Sequence, residues 1–299
     1  MTTNEAANRK NLLPLLGDFL ALTKPRVMSL LLVSAVAGAF LGAQSTPSLK
    51  IIIAVIIGGA LASGGAASLN MAYESELDKK MGRTKNRPVA EGRIAFKTAV
   101  LFGIALNVGS FVILTLMANM LAAGLAIAGT LLYFGLYTVI LKRTTTQNIV
   151  IGGAAGAVPP LVGYAASAGT VDLSAWYLFA IIFFWTPPHF WALAIMIKDD
   201  YARANIPMMP VVMGIKHTTK QILLYTAVLS VLTILFGFVS QTLGWIYTIG
   251  SASLNLILFW YAYRLFKSSD RLAATKLYKY SLLYLALFFL LVMIDSVWE

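Results

Sequence analysis

The chain consists mainly of apolar runs about 20 residues long, separated by short polar connections. A helical run of about that length matches the thickness of the hydrocarbon core of a bilayer. Strands that cross a membrane are shorter and alternate apolar with polar residues, a pattern that these runs do not show. Of the 299 residues, 59% are hydrophobic and only 12% are charged, whereas soluble domains carry about twice that charged fraction. The sequence therefore predicts an all-α polytopic membrane protein.

Windows of this length predict nine transmembrane helices. We place them near residues 27–43, 51–73, 97–116, 119–141, 149–168, 174–196, 221–240, 244–266 and 277–297. Residues 27–299 would then form one membrane domain, preceded by a cytoplasmic segment at residues 1–26. The third and fourth helices are separated by a very short connection, and Asn119 favours a tight hairpin there over one long helix.

The distribution of positive charge supports this count and predicts an orientation. Nine alternating helices place 22 of the 23 Lys and Arg residues at one end of the bundle and only Lys50 at the other. Cytoplasmic loops of membrane proteins carry such an excess, so the N-terminus and the loops 74–97 and 197–220 are predicted to be cytoplasmic and the C-terminus external. The same rule explains the net charge of +11 without a nucleic-acid partner. Because the chain has no cysteine, disulfides, thiolate nucleophiles and Cys-ligated metals are excluded.

Three pairs of small residues spaced four apart predict places where helices pack closely. The pairs are Gly38 and Gly42, Gly59 and Ser63, and Gly152 and Gly156. Small side chains let two helix backbones approach each other, so we assign these residues to packing and not to catalysis.

The most polar stretch of the chain, NMAYESELDKKMGRTKNRPV, begins at Asn70 near the cytoplasmic end of the second predicted helix. Asn70, Glu74 and Asp78 are spaced by four, so on a helix they lie along one stripe. Their oxygen atoms suit a hard cation such as Mg²⁺, which binds a few carboxylates together with phosphate and water. Arg83 and Arg87 follow, and arginine binds phosphate in a bidentate manner. The stretch therefore predicts a metal–diphosphate site at a water-accessible opening of the helix bundle.

A solvated loop that only fixes orientation is the competing interpretation of this stretch. It explains Lys79, Lys80, Arg93 and Lys97 well, because positive charge alone sets the orientation. It explains the three acidic or amide side chains poorly, since acidic groups contribute little to orientation and are costly at a membrane edge.

Four motifs in order make the chain similar to a known family. The pattern N-x-x-x-E-x-x-x-D followed by M-x-R-T-x-x-R-P, from Asn70 to Pro88, resembles the first signature of the UbiA-type intramembrane prenyltransferases, and among them of the group that farnesylates protohaem IX. The resemblance continues in KRTTTQNIVIGGAAGAVPPLVGYAA, WTPPHFWALAI and DDYARANIPMMPVV. It covers nearly the whole chain and implies nine helices around a central cavity, with the active site on the cytoplasmic side.

The resemblance implies a role for each of nine polar residues. The ligands that would hold Mg²⁺ on farnesyl diphosphate are Asn70, Glu74 and Asp78. The cations that would contact the phosphates are Arg83, Arg87, Lys142 and Arg143. The second acidic cluster would be Asp199 and Asp200. Positions 203 and 204 are Arg and Ala, where the wider superfamily has a second acid, so these carboxylates either bind a second metal ion or orient a cation.

The segment WTPPHFWALAI bears on the second substrate. Pro187 and Pro188 remove two backbone donors from the sixth helix, and His189 is expected about 10 to 14 Å from its cytoplasmic end. One interpretation is purely structural: His189 is a buried, neutral histidine that bonds a backbone carbonyl left without a donor by the prolines. An ionisable group at this depth is nonetheless a functional candidate, and the resemblance implies haem B as the acceptor, with His189 on the iron or the porphyrin.

The resemblance also implies the reaction and its setting. The farnesyl cation would attack a vinyl group of haem B and water would add, giving haem O. The protein would lie in the inner membrane of a bacterium, upstream of a haem A synthase or of the assembly of haem–copper oxidases. Aromatic side chains that could steady the cation are Tyr73, Tyr133, Phe134, Tyr137, Trp185 and Phe190.

Two other functions remain open at this point. A quinone-pathway prenyltransferase would share the diphosphate site but take an aromatic acceptor. A transporter would also be a bundle of helices, but it is expected to place ionisable groups near the middle of the bilayer. The acidic residues of this chain lie mostly at one end of the predicted bundle, which favours an enzyme.

Overall fold

A computed structural model describes residues 14–298, and within this range the regular structure is entirely helical. A short helical segment at residues 14–22 precedes the long helices. The long helices of this range are α1 Pro25–Ala43, α2 Leu49–Tyr73, α3 Phe96–Met117, α4 Met120–Thr144, α5 Asn148–Ala168, α6 Leu173–Met196, α7 Ile215–Val239, α8 Trp245–Ser268 and α9 Arg271–Trp298. Most of the predicted N-terminal segment, residues 1–13 with Arg9 and Lys10, lies outside the described residues, as does Glu299.

Eight of these helices are long and apolar enough to cross a membrane, so the all-helical membrane prediction is confirmed. The exception is α8, which has the length of a span but carries more polar residues. Its Asn255 donates to the Thr233 hydroxyl on α7 at 2.7 Å and accepts from the Tyr284 hydroxyl on α9 at 2.8 Å. Such pairs satisfy polar groups that lipid cannot. A ninth span therefore stays a prediction, although the helix itself is present.

The predicted hairpin between the third and fourth helices is present. Its connecting residue Asn119 caps α4, because its side chain accepts from the Ala122 N–H at 2.9 Å. The same side chain donates to the Ala165 carbonyl on α5 at 2.7 Å. One residue therefore starts α4 and fastens the hairpin to a third helix.

Helices α1 and α5 pack almost backbone to backbone. A Cβ atom added at Gly38 would lie 2.1 Å from the Pro160 carbonyl oxygen, and one added at Gly42 would lie 2.6 Å from the carbonyl oxygen of Tyr164. From the other side, a Cβ atom at Gly163 would lie 1.7 Å from a backbone oxygen of α1. The predicted packing role is confirmed for the first small-residue pair, and Gly163, which belongs to none of the three pairs, packs as closely.

The other two pairs give a mixed result. An added Cβ atom would lie 3.0 Å from the Leu32 side chain at Gly59 and 2.3 Å from the Tyr137 ring at Gly152. One added at Gly156 would meet nothing within 4 Å. The prediction is therefore wrong for Gly156, which is the last residue before the helix is interrupted at Ala157.

We expect Gly163→Ala to destabilise the protein by at least about 1–3 kcal/mol, because the Ala35 carbonyl that the new methyl group meets belongs to the backbone and cannot rotate away. Gly124 is a matched control, since it is also helical and an added Cβ atom meets nothing there. Gly124→Ala is expected to be neutral or slightly stabilising. Thermal unfolding in detergent, followed by tryptophan fluorescence, measures both. Equal midpoints for the two variants would contradict the close approach of α1 and α5.

Candidate active site

Asn70, Glu74 and Asp78 share one face at the end of α2, as their spacing predicts. The helix ends at Tyr73, but its hydrogen bonding continues, since the Glu74 N–H donates to the Asn70 carbonyl at 2.9 Å and the Asp78 N–H to the Glu74 carbonyl at 2.8 Å. All three residues are only 2% exposed, whereas the side chain of Glu76 between them is 82% exposed. We call these three residues the oxygen stripe.

The prediction that the stripe lies at a water-accessible opening is wrong, because its residues are buried. The loop after the stripe folds back over it and buries Met81 and Thr84. The Thr84 hydroxyl donates to the Asp78 carbonyl at 3.1 Å, which fixes this fold-back. The sequence could not show it, because a run of lysines and arginines is typical of an open loop.

Arg87, from the same loop, closes over the last residue of the stripe. Its Nη1 donates to both carboxylate oxygens of Asp78, at 2.9 and 2.8 Å. The arginine side chain is 19% exposed and the aspartate side chain 3%. The pair is therefore largely desolvated, and removing either partner would leave the other as a poorly compensated charge.

The other two members of the stripe are also held by cations. The Lys142 ammonium, at the end of α4, lies 2.5 Å from Oε1 of Glu74. The Lys24 ammonium, from the residue before α1, donates to Oδ1 of Asn70 at 2.6 Å. Each oxygen-bearing side chain of the stripe therefore has one cationic partner, and three separate segments of the chain supply these cations.

A π-helical segment in α4, Leu131–Leu141, brings the Thr138 side chain to the stripe. Hydrogen bonds in a π-helix span five residues instead of four, and the wider turn is common at functional sites. The Thr138 hydroxyl donates to the Tyr133 carbonyl at 2.9 Å and accepts from Nδ2 of Asn70 at 3.1 Å. The amide of Asn70 is thereby oriented with its oxygen toward Lys24. The apolar sequence of this segment predicts an ordinary α-helix and gave no signal for the wider turn.

Lys24 is a candidate site residue that sequence reasoning missed. It was counted only among the charges that set orientation. Burial, followed by the positive charge of Arg87, lowers the pKa of Lys24 to about 7. Its backbone adopts the left-handed conformation, with φ of 52°, immediately before Pro25. That bend between the helical segment at residues 14–22 and α1 directs the lysine inward, and no local sequence pattern signals it.

Two predicted phosphate contacts lie farther from the stripe. Arg143 is exposed, and its guanidinium lies 5.4 Å from the centre of the Tyr73 ring. Arg83 is exposed as well, and its charge acts on Tyr201, which is buried in the connection after α6. Burial raises the pKa of the Tyr201 phenol, and the charge of Arg83 opposes that increase. Arg83 therefore lies at the edge of the site, whereas Arg143 lies on the outer surface.

The second acidic pair lies on a short helix, Lys198–Arg203, directly after α6. Asp199 is exposed, while Asp200 is partly buried and forms an ion pair with Arg203. Among residues 14–298, no group of three histidine or acidic side chains is placed to hold a metal ion. Both alternatives that the sequence left open stay predictions, and the Asp200–Arg203 pair is the contact that suits orientation of a cation. The stripe itself offers two carboxylates and an amide oxygen, and this donor set fits Mg²⁺ that also binds phosphate and water.

His189 lies inside α6, which continues as a helix through Pro187 and Pro188. The ring is buried between Trp185 and Tyr278, with centroid distances of 4.4 and 4.7 Å.

The hydrogen bond between His189 and Ser281 indicates which ring nitrogen of the neutral histidine carries the proton. Its Nδ1 lies 2.7 Å from the hydroxyl oxygen of Ser281. That hydroxyl donates its own proton to the Tyr278 carbonyl at 2.8 Å, so it accepts from Nδ1–H. The neutral ring then keeps a lone pair on Nε2. The interpretation that His189 bonds a carbonyl freed by the prolines is wrong, because its partner is a hydroxyl group on α9.

Two of the six candidate aromatic residues lie beside the stripe. The rings of Tyr133 and Tyr137 stack with centroids 5.8 Å apart, and the Lys142 ammonium lies 6.0 Å from the Tyr137 centroid. Tyr73 and Phe134 pair edge to face, and Tyr73 is partly exposed. Only the first pair is therefore well placed to face a substrate bound at the stripe.

Known proteins share both the sequence and the fold. The chain matches the model of the UbiA prenyltransferase family over residues 31–291. It is 46% identical to the protoheme IX farnesyltransferase of Trichodesmium erythraeum, over 96% of this chain and 88% of that protein. It is 49% identical to the protoheme IX farnesyltransferase of Thermus thermophilus, over 93% of this chain and 46% of that protein, so it spans about half the length of that relative.

Solved structures of 16% sequence identity share the fold. A digeranylgeranylglyceryl phosphate synthase superposes with a TM-score of 0.78, over 95% of this chain and 99% of that one. A UbiA homolog from Archaeoglobus fulgidus bound to GPP and Mg²⁺ superposes with a TM-score of 0.71, over 93% of this chain and 99% of that one. With the family match over most of its length, the chain belongs to the UbiA prenyltransferase family.

Proposed function

We propose that this enzyme transfers the farnesyl group of farnesyl diphosphate to a vinyl group of haem B, giving haem O and diphosphate. The observation that carries the proposal is the oxygen stripe with its three cations, a buried arrangement that suits a metal-bridged diphosphate. The choice of acceptor is supported by relatives at 46% and 49% identity that are named protoheme IX farnesyltransferases.

The first step would be loss of diphosphate from the allylic carbon. Asn70, Glu74 and Asp78 would hold Mg²⁺, which would neutralise charge on the departing diphosphate. Arg87 and Lys142 would donate to the phosphate oxygens as negative charge develops on them, with Arg83 at the edge of the site. Asp200 would act through Arg203. Arg143 and Asp199 stay predictions, since both are exposed on the surface of the described structure.

The second step would be capture of the farnesyl cation. The stacked rings of Tyr133 and Tyr137 would face the cation, and burial of the stripe would keep water from the diphosphate end. The terminal vinyl carbon of haem B would form the new bond to the farnesyl carbon. Water would then add to the other vinyl carbon and lose a proton, which leaves a hydroxyl group on the product.

We also propose that His189 positions haem B. The observation in its favour is the lone pair that Ser281 leaves on Nε2, since a neutral imidazole nitrogen binds iron. Haem B is the substrate here, so the contact would orient the porphyrin and would break when haem O leaves. Haem O would pass to a haem A synthase or to the assembly of haem–copper oxidases.

The quinone-pathway alternative differs only in the acceptor, and diphosphate release separates the two. With farnesyl diphosphate and Mg²⁺, we expect the purified enzyme to release diphosphate when haem B is added and not when 4-hydroxybenzoate replaces it. A coupled assay for inorganic diphosphate measures both. Release with 4-hydroxybenzoate alone would assign the enzyme to the quinone pathway. Family membership already decides against transport.

The orientation and the single membrane domain, residues 27–299, are further proposals. We place the protein in the inner membrane of a bacterium, with the N-terminus cytoplasmic and the C-terminus external, because 22 of 23 basic residues fall at one end of the nine-helix arrangement. A reporter that is active only in the cytoplasm should be inactive when it is fused after Glu299, and active when it is inserted after Gly92. Activity at Glu299 would contradict the nine-span orientation.

A further inference from the structure

The cations of the site occupy the atoms that the metal would use. Lys142 lies on the carboxylate of Glu74, and Arg87 lies on both carboxylate oxygens of Asp78. With the Lys24–Asn70 contact, every member of the oxygen stripe has a cationic partner within the protein. Metal on Oε1 of Glu74 or on the Asp78 carboxylate would compete with these pairs, and so would phosphate on Lys142 or Arg87.

Binding of one ligand alone would leave charges without partners. Mg²⁺ on Glu74 and Asp78 would displace Lys142 and Arg87, and a buried cation without a partner is costly. Diphosphate alone would draw the same two cations away from their carboxylates and would meet those carboxylates as like charges. Both ligands together remove the conflict, because the carboxylates then face the metal and the cations face the phosphates.

Lys24 is the cation that makes the charge of the site suit this complex. Its partner Asn70 is neutral, whereas Arg87 and Lys142 each face a carboxylate. When Lys24 is protonated, the cluster has one positive charge in excess, which matches a metal–diphosphate complex of net negative charge and opposes free Mg²⁺. An ammonium group has three donors, and the bond to Asn70 uses one of them.

We propose that three cation–oxygen pairs hold the substrate-free site and exchange partners when metal and diphosphate bind, with Lys24 as the third cation that moves onto the diphosphate. The inference rests on the proposed function for the identity of the diphosphate as substrate, but not for the identity of the acceptor. If it is right, metal binds tightly only together with diphosphate, and diphosphate binds tightly only together with metal.

The exchange predicts an effect that is not expected of a site without internal cation–oxygen pairs. Lys142→Met frees the Glu74 carboxylate, so it should strengthen the binding of metal alone by at least about tenfold. Glu74→Gln frees the Lys142 ammonium, so it should strengthen the binding of inorganic diphosphate in EDTA by a similar factor. If the cations and the oxygen stripe were not paired before ligands bind, both variants would leave these affinities unchanged or weaken them.

The measurements use the full chain in detergent and two probes. Mn²⁺ stands in for Mg²⁺, and its free concentration is followed by electron paramagnetic resonance, while diphosphate binding is followed by calorimetry. Arg87→Gln repeats the metal test at Asp78 if Lys142→Met does not fold. If the folded variant, either Lys142→Met or Arg87→Gln, binds Mn²⁺ no more tightly than the wild type, the exchange is wrong. This result does not depend on which acceptor the enzyme uses.

Lys24 has its own test with a close control. Lys24→Met should weaken binding of diphosphate in the presence of Mg²⁺ by at least about tenfold, and Lys24→Arg should restore most of it. Arg26→Met removes the same charge from an exposed residue nearby and should leave diphosphate binding unchanged. Wild-type binding by Lys24→Met, or an equal loss in Arg26→Met, would reject a diphosphate contact for Lys24. Neither result depends on haem, so failure here is distinct from failure of the proposed acceptor.

Discussion

Asp78→Asn is expected to lower the rate of prenyl transfer by at least about 100-fold. The substitution removes one of the two carboxylates of the oxygen stripe and the partner of Arg87, so it weakens both the metal site and the position of a phosphate-binding cation. Glu74→Gln should act in the same direction. Single-turnover measurement with saturating farnesyl diphosphate and Mg²⁺ tests both.

Stability has to be measured beside activity, because Asp78 is buried. The shape of the side chain is kept in Asp78→Asn, but Arg87 loses its counter-charge, so we expect a lower unfolding temperature as well. Asp18→Asn is the matched control, since Asp18 also pairs with an arginine, Arg93, at 3.0 Å but lies in the helical segment before α1. Full activity is expected for Asp18→Asn. Prenyl transfer near the wild-type rate in purified Asp78→Asn would show that the metal–diphosphate site is misassigned.

His189→Ala is expected to lower haem conversion by about 10- to 100-fold and to leave the binding of farnesyl diphosphate unchanged. The reason is geometric, because Ser281 on α9 leaves the lone pair on Nε2, and the proposed diphosphate site is built from residues at the ends of α2 and α4. The Soret band of added haem B should shift with wild-type protein and should shift less with the variant. Two measurements therefore separate the haem contact from the diphosphate site.

His217→Ala serves as the control for loss of a histidine, since the chain has only two. His189→Gln addresses the cavity that alanine would leave between Trp185 and Tyr278, because it retains more of the side-chain volume. Ser281→Ala should reduce the Soret shift by freeing the ring to change tautomer, and Ser281→Thr should preserve it. An unaffected His189→Ala enzyme would leave that residue with a packing role only.

The features that local spacing specifies were predicted well. Four-residue spacing placed Asn70, Glu74 and Asp78 on one face, because helical geometry alone decides that result. The hairpin at Asn119 also followed from a local signal, the capping tendency of asparagine between two apolar runs.

The features that depend on distant segments could not be predicted in this way. The burial of Asp78 requires a basic loop to fold back, and the partners of Asn70 lie on α4 and before α1. Ser281 lies 92 residues from His189 along the chain. The π-helical turn of α4 has no local signature in its apolar sequence, and its Thr138 contacts Asn70, which lies 68 residues away along the chain.

The mass of haem extracted from membranes that contain this protein tests the proposed reaction most directly. After incubation with farnesyl diphosphate and Mg²⁺, we expect haem B to be replaced by a haem heavier by one farnesyl group and one hydroxyl group. Membranes that contain Asp78→Asn should leave haem B unchanged. Prenylated 4-hydroxybenzoate with no change in haem mass would contradict the proposed function.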